Sequence, residues 1–216
     1  MTTKRTVWNL ALLELGHRRL ADTGEAIEPA RDLAAIWDQV ALECLKAGSW
    51  NFAMETIKAV ADTGVTPEFG SFTEVFAKPS DWLRTTAVSM DEDFTLPLLS
   101  YYDDDAFWSA AASPIYIRYV SSDTGLGLDL NRWTPGFSRF VELELADRLC
   151  MKLTQNQKLK EAISMARDRA RRTALNHDAM DEANPKFPPP SGWTAARGGA
   201  GGTGRRDRGS RGSLTG

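Results

Sequence analysis

The chain has few cysteines and histidines, and this scarcity excludes several ways of stabilising a fold. Cys44 and Cys150 are the only cysteines among 216 residues, and each lies in an apolar stretch with helical character. Two such cysteines do not make a disulfide scaffold, and free cysteines usually behave as small buried apolar side chains. His17 and His177 are far apart, and neither lies in a zinc-binding spacing. We therefore expect a protein of a reducing compartment whose core needs neither a disulfide nor a metal.

Long apolar runs and the short motifs of common enzymes are also missing. No run of 18 apolar residues is present to span a membrane. The patterns H-E-x-x-H, C-x-x-C, G-x-S-x-G and the P-loop do not occur. We interpret the acidic stretches 90–94 and 103–105 as a hairpin turn and a solvated loop, because three consecutive aspartates cannot all face one cation. The sequence predicts no enzyme activity, no cofactor and no metal site.

Apolar periodicity predicts two helices near the start of the chain. The first covers residues 4–15 and ends at Gly16, a residue that suits the position after a helix. The second begins near Pro29 and carries apolar residues on one face. We expect Gly48 to stop it.

Two more helices are predicted after residue 134. The first, at 136–153, has an apolar stripe so wide that we expect burial on more than one side. A break at TQNQ precedes a last helix over 157–180. Its small residues would face another helix, and its arginines 167, 169, 171 and 172 would mostly lie on the outside.

Residues 50–134 have a different pattern, in which helical periodicity fades. Short apolar or alternating runs occur at 71–77, 83–90, 94–102 and 114–120, and prolines and glycines separate them. We predict four to six short strands in this β-rich region.

The end of the chain is rich in proline, glycine and arginine and cannot bury enough apolar area to form a core of its own. The predicted fold class is therefore α+β, mainly α. We predict a helical bundle from residues 1–49 and 135–180, a β-rich insertion at 50–134 and an extended C-terminal arm at 181–216.

The net charge of −3 conceals an uneven distribution. Residues 49–133 carry 13 acidic and 5 basic residues, whereas 139–172 carry 9 basic and 5 acidic, and 181–216 carry 6 basic and 3 acidic. Unlike surfaces of this kind suit stacking on a partner or on copies of the same chain. A ring of copies needs a heterologous interface, and if unlike charges form it, high salt should weaken assembly.

The segment WNFAMETI, residues 50–57, marks the change from helix to β-rich region. We interpret Trp50 and Phe52 as a packing joint, with Trp50 closing the bundle and Phe52 anchoring the first extended segment. We expect the Asn51 side chain to bond free carbonyls at the helix end.

A second structural joint is predicted in the DWLR segment. Trp82 would pack, while Asp81 and Arg84 would fix a turn or an inter-subunit pair. As exposed ions they would stabilise by only about 0–1 kcal/mol, so their contribution would be to register.

Five short segments, in this order, carry a resemblance to a known family. They are LLELGHRRL (12–20), ARDLAAIWDQVALECLKAGSWNFAM (30–54), VFAKPSDWLR (75–84), IYIRYV (115–120) and RWTPGFSRFVELELADRLCMKLTQN (132–156). Together they resemble the tail tubular protein A family, the head-to-tail adaptors of short-tailed bacteriophages and related prophages. The resemblance covers about residues 7–175, and its motifs are structural and not catalytic.

The resemblance implies a virion protein at the head–tail junction, made in the host cytoplasm and without a membrane partner. Copies would form a homo-oligomeric ring, usually of twelve, between the portal protein and the tail nozzle protein (tail tubular protein B). The ring would continue the channel, and DNA would pass through it without sequence-specific binding. The helical parts would face the portal, and residues 50–134 would face the neighbouring subunit or the nozzle.

The resemblance also implies that the C-terminal segment reaches the portal. The residues expected to bind there are Trp193, Arg197, Arg205, Arg206, Arg208 and Arg211. An arm of this composition also suits an acidic groove on another protein.

Two alternatives stay open. One is a nucleic-acid-binding protein that uses the Arg/Gly-rich tail, since such arms bind phosphate by charge and release it in salt. The other is a tail-associated cell-wall hydrolase, which would need a cleft with a carboxylate of raised pKa.

Overall fold

The computed structural model describes residues 2–65 and 72–181. Its elements in chain order are α1 Lys4–Glu14, α2 Glu28–Lys46, a 3-10 turn Asn51–Ala53, β1 Met54–Ala59, β2 Glu74–Ala77, β3 Trp82–Ser89, β4 Tyr101–Asp103, β5 Phe107–Ala110, β6 Ile115–Ser121, α3 Pro135–Thr154 and α4 Gln157–Asp181. Two small three-stranded antiparallel sheets are thus inserted between α2 and α3. The predicted α+β class, a helical bundle with a β-rich insertion, is confirmed for the described residues.

The central helix of the bundle is α3, against which α1, α2 and α4 all pack. Even two of its acidic residues, Glu142 and Asp147, are buried. A helix with neighbours on several sides needs an apolar stripe wider than one face. The wide stripe in the sequence therefore indicated the position of this helix correctly.

A row of aromatic rings runs through the bundle core. Trp37 stacks on Trp133 with ring centroids 5.9 Å apart, and Trp133 meets Phe137 edge-on at 4.9 Å. Trp8 packs edge-on against Trp37, and Trp50 packs edge-on against Phe137. Each aromatic pair contributes about 0.5–1.5 kcal/mol beyond the burial of its area. The row connects α1, α2 and α3 with the residue that precedes the 3-10 turn.

Local backbone chemistry explains most helix ends. The side chain of Thr3 accepts a hydrogen bond from the Thr6 amide at the start of α1, and Thr134 does the same for Phe137 in α3. Gly16 follows α1 with a φ of 71°, the left-handed conformation that favours glycine.

The break between α3 and α4 is at Gln155, whose φ is 51°. The side chain of Asn156 then accepts a hydrogen bond from the Leu159 amide at 3.2 Å and caps α4. The predicted break at TQNQ is confirmed.

Gly48 has a different role from the one predicted. The helix α2 already ends at Lys46, and Gly48 is not among the glycines with positive φ. A Cβ atom at Gly48 would lie 2.5 Å from the side chain of Leu175 and 2.9 Å from the Trp50 ring. Glycine is needed there because α4 and the Trp50 ring approach the backbone closely.

Each sheet has a buried central strand. In the first sheet β6 lies between β1 and β3, and in the second β5 lies between β2 and β4, all antiparallel. The prediction of four to six strands agrees with the six strands of the described residues, and the predicted runs match β2, β3 and β6. β1 was expected only as the extended segment after Phe52, and β5 was missed. Of the run 94–102 only Tyr101 and Tyr102 are in a strand, because Pro97 allows no more than an isolated bridge to Ser89.

The insertion has a small hydrophobic core of its own, built round Phe76, Trp108, Ile115 and Ile117. Val120, near the end of β6, belongs instead to the core of the bundle. The first sheet therefore spans both regions. Of the predicted arm, only its first residue, 181, is described, as the end of α4.

Candidate interaction surface

Trp50 is a packing joint, and its side chain is completely buried. Its indole Nε1 donates a hydrogen bond to the carbonyl of Cys44 at 3.0 Å, near the end of α2. Its ring lies 4.9 Å from the ring of Phe137, and the Phe52 ring lies 5.0 Å from the same partner. Both side chains thus fasten the start of the insertion to the central helix.

Asn51 bonds a helix carbonyl, but that carbonyl belongs to a helix other than α2. Its side-chain amide donates to the backbone carbonyl of Asp178, at 2.6 Å, in the last turn of α4. In return the Asp178 carboxylate accepts from the backbone amide of Asn51 at 3.0 Å. The two residues are 127 positions apart, so local sequence carried no signal for this clamp.

Asp81 connects the beginning of β3 with the end of β6. Its carboxylate accepts hydrogen bonds from the hydroxyls of Tyr119, at 3.2 Å, and Ser121. Its backbone carbonyl accepts from the amide of Ser122 at 2.7 Å. Burial, together with the nearby charges of Asp81 and Glu55, raises the pKa of Tyr119 and keeps its hydroxyl a proton donor. Asp81 therefore fixes the register of the two strands.

Trp82 packs as predicted, whereas Arg84 is exposed on β3. The Trp82 indole donates to the hydroxyl of Thr85 at 3.1 Å, and its ring meets Trp108 edge-on. No ion pair joins Arg84 to Asp81 in the part of the chain that the structure describes. An inter-subunit pair through Arg84 stays a prediction.

Lys78 was missed by sequence reasoning, although it is the main polar contact of the second sheet. Its side chain is only 3% exposed and forms an ion pair with Asp103. Its ammonium lies 3.4 Å from the centroid of the Trp82 ring, a cation–π contact. Asp103, Asp104 and Asp105 are all exposed, as the interpretation of 103–105 as solvated expects, but Asp103 belongs to strand β4 and not to a loop, and its carboxylate pairs with Lys78.

A partly buried ion network joins α3 to α4. The carboxylate of Asp147 accepts from Lys160 at 2.8 Å, Arg167 at 2.7 Å and Ser164 at 2.6 Å. Burial by itself would raise the pKa of Asp147, but hydrogen bonds from Lys160 and Ser164 outweigh it and hold the pKa below its usual value. Arg167 therefore lies between α3 and α4 and not on the outside, so the prediction for this arginine is wrong. It faces α3 because a buried carboxylate needs a cation.

The potentially reactive side chains do not come together. Cys44 and Cys150 are buried, and burial raises the pKa of the Cys44 thiol. His17 is half-buried beside the loop after α1, and His177 is exposed on α4. Among residues 2–65 and 72–181 no group of His, Cys, Asp or Glu could hold a metal ion, and no helix is long and apolar enough to cross a membrane.

The far end of the insertion exposes several large apolar side chains. We call this surface the distal tip; it consists of Val60, Met90, Glu92, Asp93, Leu96 and Leu99. Leu99 is 89% exposed, and Glu92 and Asp93, earlier in the same loop, are also exposed. The turn itself is held by Asp91, whose pKa is lowered because its carboxylate accepts from Ser89, Thr95 and Leu96.

The outer face of α4 is a second exposed surface. We call it the α4 stripe; it consists of Lys158, Met165, Arg169, Arg172 and Met180. Their spacing places all five on one side of the helix, and all are exposed. Arg169 and Arg172 are where the sequence predicted them, on the outside.

The residues expected to bind the portal lie outside the described residues. They are Trp193, Arg197, Arg205, Arg206, Arg208 and Arg211. Comparison with known proteins gives no further information about them, because no protein-family model matches the chain and no curated protein matches it.

Proposed function

We propose that this chain is a structural head-to-tail adaptor of a bacteriophage. Copies of the chain form a ring between the portal protein and the tail nozzle protein, and DNA passes through the ring without sequence-specific contacts. The copy number of twelve comes from the resemblance to the tail tubular protein A family. The ring belongs to the virion, at the head–tail junction.

The supporting observation is where the family-like segments lie in the fold. The segment at 30–54 covers α2 and the joint at Trp50, and the segment at 132–156 covers Trp133 and α3. These segments supply most of the bundle core. These segments hold the four helices and the insertion together. This use of the family-like segments suits a structural role.

The hydrolase alternative needs a carboxylate of raised pKa, and among the described residues only Glu142 has one. Burial raises the pKa of Glu142, although the ion pair with Arg139 partly offsets this. Glu142 is only 5% exposed, on the buried face of the central helix. A general acid needs to reach its substrate, so this position suits packing better than catalysis.

The adaptor proposal is tested by the native mass of the full chain mixed with the portal ring from the same genome. We expect a discrete complex with one copy of the chain for each portal subunit. An intact portal ring that binds no copies of the chain would overturn the proposal.

The nucleic-acid alternative rests on the arginines at 205–211, and it makes a different prediction. If the tail binds DNA, the logarithm of affinity should fall steeply with the logarithm of salt concentration, with a slope of about −0.9 for each phosphate contact in duplex DNA. Replacing Arg205, Arg206, Arg208 and Arg211 by serine would then flatten that slope. The adaptor proposal expects weak, non-specific DNA binding and loss of portal binding in the same variant.

A further inference from the structure

The distal tip lies at the end of the first sheet that is farthest from the bundle. β1 leaves the joint at Met54 and ends at Ala59, five steps later, which corresponds to about 17 Å at 3.4 Å per residue. β6 pairs Ile115 with Ala59 and Tyr116 with Ser89, so Val60 and Met90 follow the strands at this same end. The tip is therefore a projection of the insertion away from the helices.

The loop of the distal tip has a defined shape. The Met90 amide donates to the Leu96 carbonyl at 3.1 Å, and the Leu98 amide donates to the Val88 carbonyl at 2.9 Å. These bonds place Met90 and Leu96 opposite each other and leave Leu99 pointing outward, 89% exposed. Met90, Leu96 and Leu99 are thus three large, exposed apolar side chains on one loop of defined shape, a feature that suits a docking surface.

Negative charge accompanies the apolar residues of the tip. Glu92 and Asp93 are exposed, and neither forms an ion pair within the part of the chain that the structure describes. Both carboxylates are therefore available to a cationic partner.

The α4 stripe has the complementary character. Met165 is 74% and Met180 is 80% exposed, so two long apolar side chains lie open on the helix. Between them Arg169 and Arg172 are exposed, and Arg172 donates a hydrogen bond to the Asp168 carbonyl of its own helix at 3.3 Å. The five residues of the stripe are cations or apolar groups, and the exposed carboxylate of Asp168 beside them is paired with Arg167 at 2.8 Å.

We propose that the distal tip of one copy docks on the α4 stripe of a second copy. Leu96 and Leu99 cover Met165, while Glu92 and Asp93 face Arg169 and Arg172. Because the two surfaces are unlike, the contact is heterologous and repeats head to tail. This contact is the one between neighbouring subunits of the ring. That repeated contacts close into a ring rests on the proposed function.

Charge reversal tests the contact in the full chain. We expect the wild type to self-associate in sedimentation experiments, and more weakly as salt rises. The stripe variant Arg169→Glu/Arg172→Glu and the tip variant Glu92→Lys/Asp93→Lys should each raise the dissociation constant at least about tenfold, since like charges then face each other.

Mixing the two variants gives the sharper result. The acidic tip of the stripe variant complements the basic stripe of the tip variant. The basic tip of the tip variant likewise complements the acidic stripe of the stripe variant. An equimolar mixture should therefore associate more tightly than either variant does alone. The chain with all four substitutions should recover association with itself for the same reason.

The matched control for the stripe variant is Arg19→Glu/Lys46→Glu, which makes the same change in net charge as that variant at exposed positions outside both surfaces. This variant should associate like the wild type, and circular dichroism should show that every variant is folded. Two variants that associate normally, or a mixture without recovery, would overturn the proposal. So would a wild type that stays monomeric up to about 1 mM, the weak limit of specific binding.

Other occupants of the tip would give other results. If the tip variant loses association but the stripe variant does not, the tip binds a different basic surface, such as residues 182–216. That result would overturn the α4 contact. Failure of the two proposals can also be separated. If the variants still bind the portal but their mixture shows no recovery of association, only the proposed tip contact is overturned. If self-association depends on these charges but the chain does not bind the portal, only the adaptor proposal is overturned.

Discussion

The bundle and the insertion are stabilised in different ways. The bundle has a row of aromatic rings from Trp8 to Trp50, and every helix in it packs against α3. The insertion has a much smaller core, and polar contacts centred on Lys78, Asp81 and Asp91 hold its turns and strand ends. Small sheets bury little apolar area, so directional hydrogen bonds must set their register.

This contrast suits an adaptor that must keep one rigid part and present another. The joint at Trp50 and the clamp between Asn51 and Asp178 fasten the two parts together. Breaking contacts on either side of that joint should therefore have different consequences.

The largest expected effect is that of Trp50→Ala. Removing a completely buried indole from the joint should lower the free energy of unfolding by about 3–5 kcal/mol. Denaturant unfolding followed by helical circular dichroism measures this loss. Trp108→Ala, an equally buried position in the insertion, should leave the helical signal less affected. Equal losses in both variants would mean that the two regions unfold as one unit.

A smaller effect is expected for Asp81→Ala. The substitution removes the carboxylate that accepts from Ser121 and one of the two carboxylates that accept from Tyr119, the other being Glu55, and should cost about 1–3 kcal/mol. Amide hydrogen exchange should become faster in β3 and β6 than in α3, because the loss is local. Asp105→Ala, at an exposed acidic site in the same region, is the matched control and should change neither rate. Uniform acceleration through the whole chain would contradict a local role for Asp81.

The bundle should show two opposite responses to pH. The folded pKa of Glu142 is raised, so the native state holds this proton more tightly than the unfolded state, and stability falls as pH rises above about 4.3. Glu142→Gln removes this fall. Its unfolding free energy relative to the wild type should therefore increase from pH 4 to pH 7, as measured by denaturant titration.

Asp147 provides the comparison for that experiment. Its folded pKa is lowered, so its contribution is present above the unfolded value of about 3.9 and is lost as pH falls through the folded pKa. Asp147→Asn should be destabilising at neutral pH and approach the wild type in acid. The same pH trend in both variants would show that one of the two assignments is wrong.

The smallest expected effect on stability is that of deleting residues 185–216. Their composition is too poor in apolar residues to support a core, so the free energy of unfolding should change by less than about 0.5 kcal/mol. Portal binding should weaken in the same variant. Loss of folding after this deletion would overturn the division of the chain into a folded part and an arm.

Sequence reasoning was most accurate where structure depends on neighbours in the chain. The helix α1, the break at TQNQ and the turn at 90–94 were all predicted from periodicity or turn chemistry. The strand β5 was missed, and β1 was expected only as an extended segment after Phe52, because short runs such as FWSA have no periodic signal. Their strand character comes from pairing with β6, β2 and β4.

The candidate surfaces show the same limit. The run 94–102 suggested a strand because it is apolar, and only the fold reveals that Leu96 and Leu99 are exposed. Likewise the arginines of α4 look alike in sequence. Arg167 faces Asp147, while Arg169 and Arg172 are exposed.

By itself the sequence determined the fold class, the four helices and the uneven distribution of charge, because each follows from composition or from the periodicity of adjacent residues. Only the tertiary structure decided which polar groups meet. Asn51 reaches Asp178 across 127 positions, and Lys78 reaches Asp103 across 25. Such contacts form between residues that are distant in sequence but close in the fold. Local propensity reflects only neighbouring residues, so it cannot predict them.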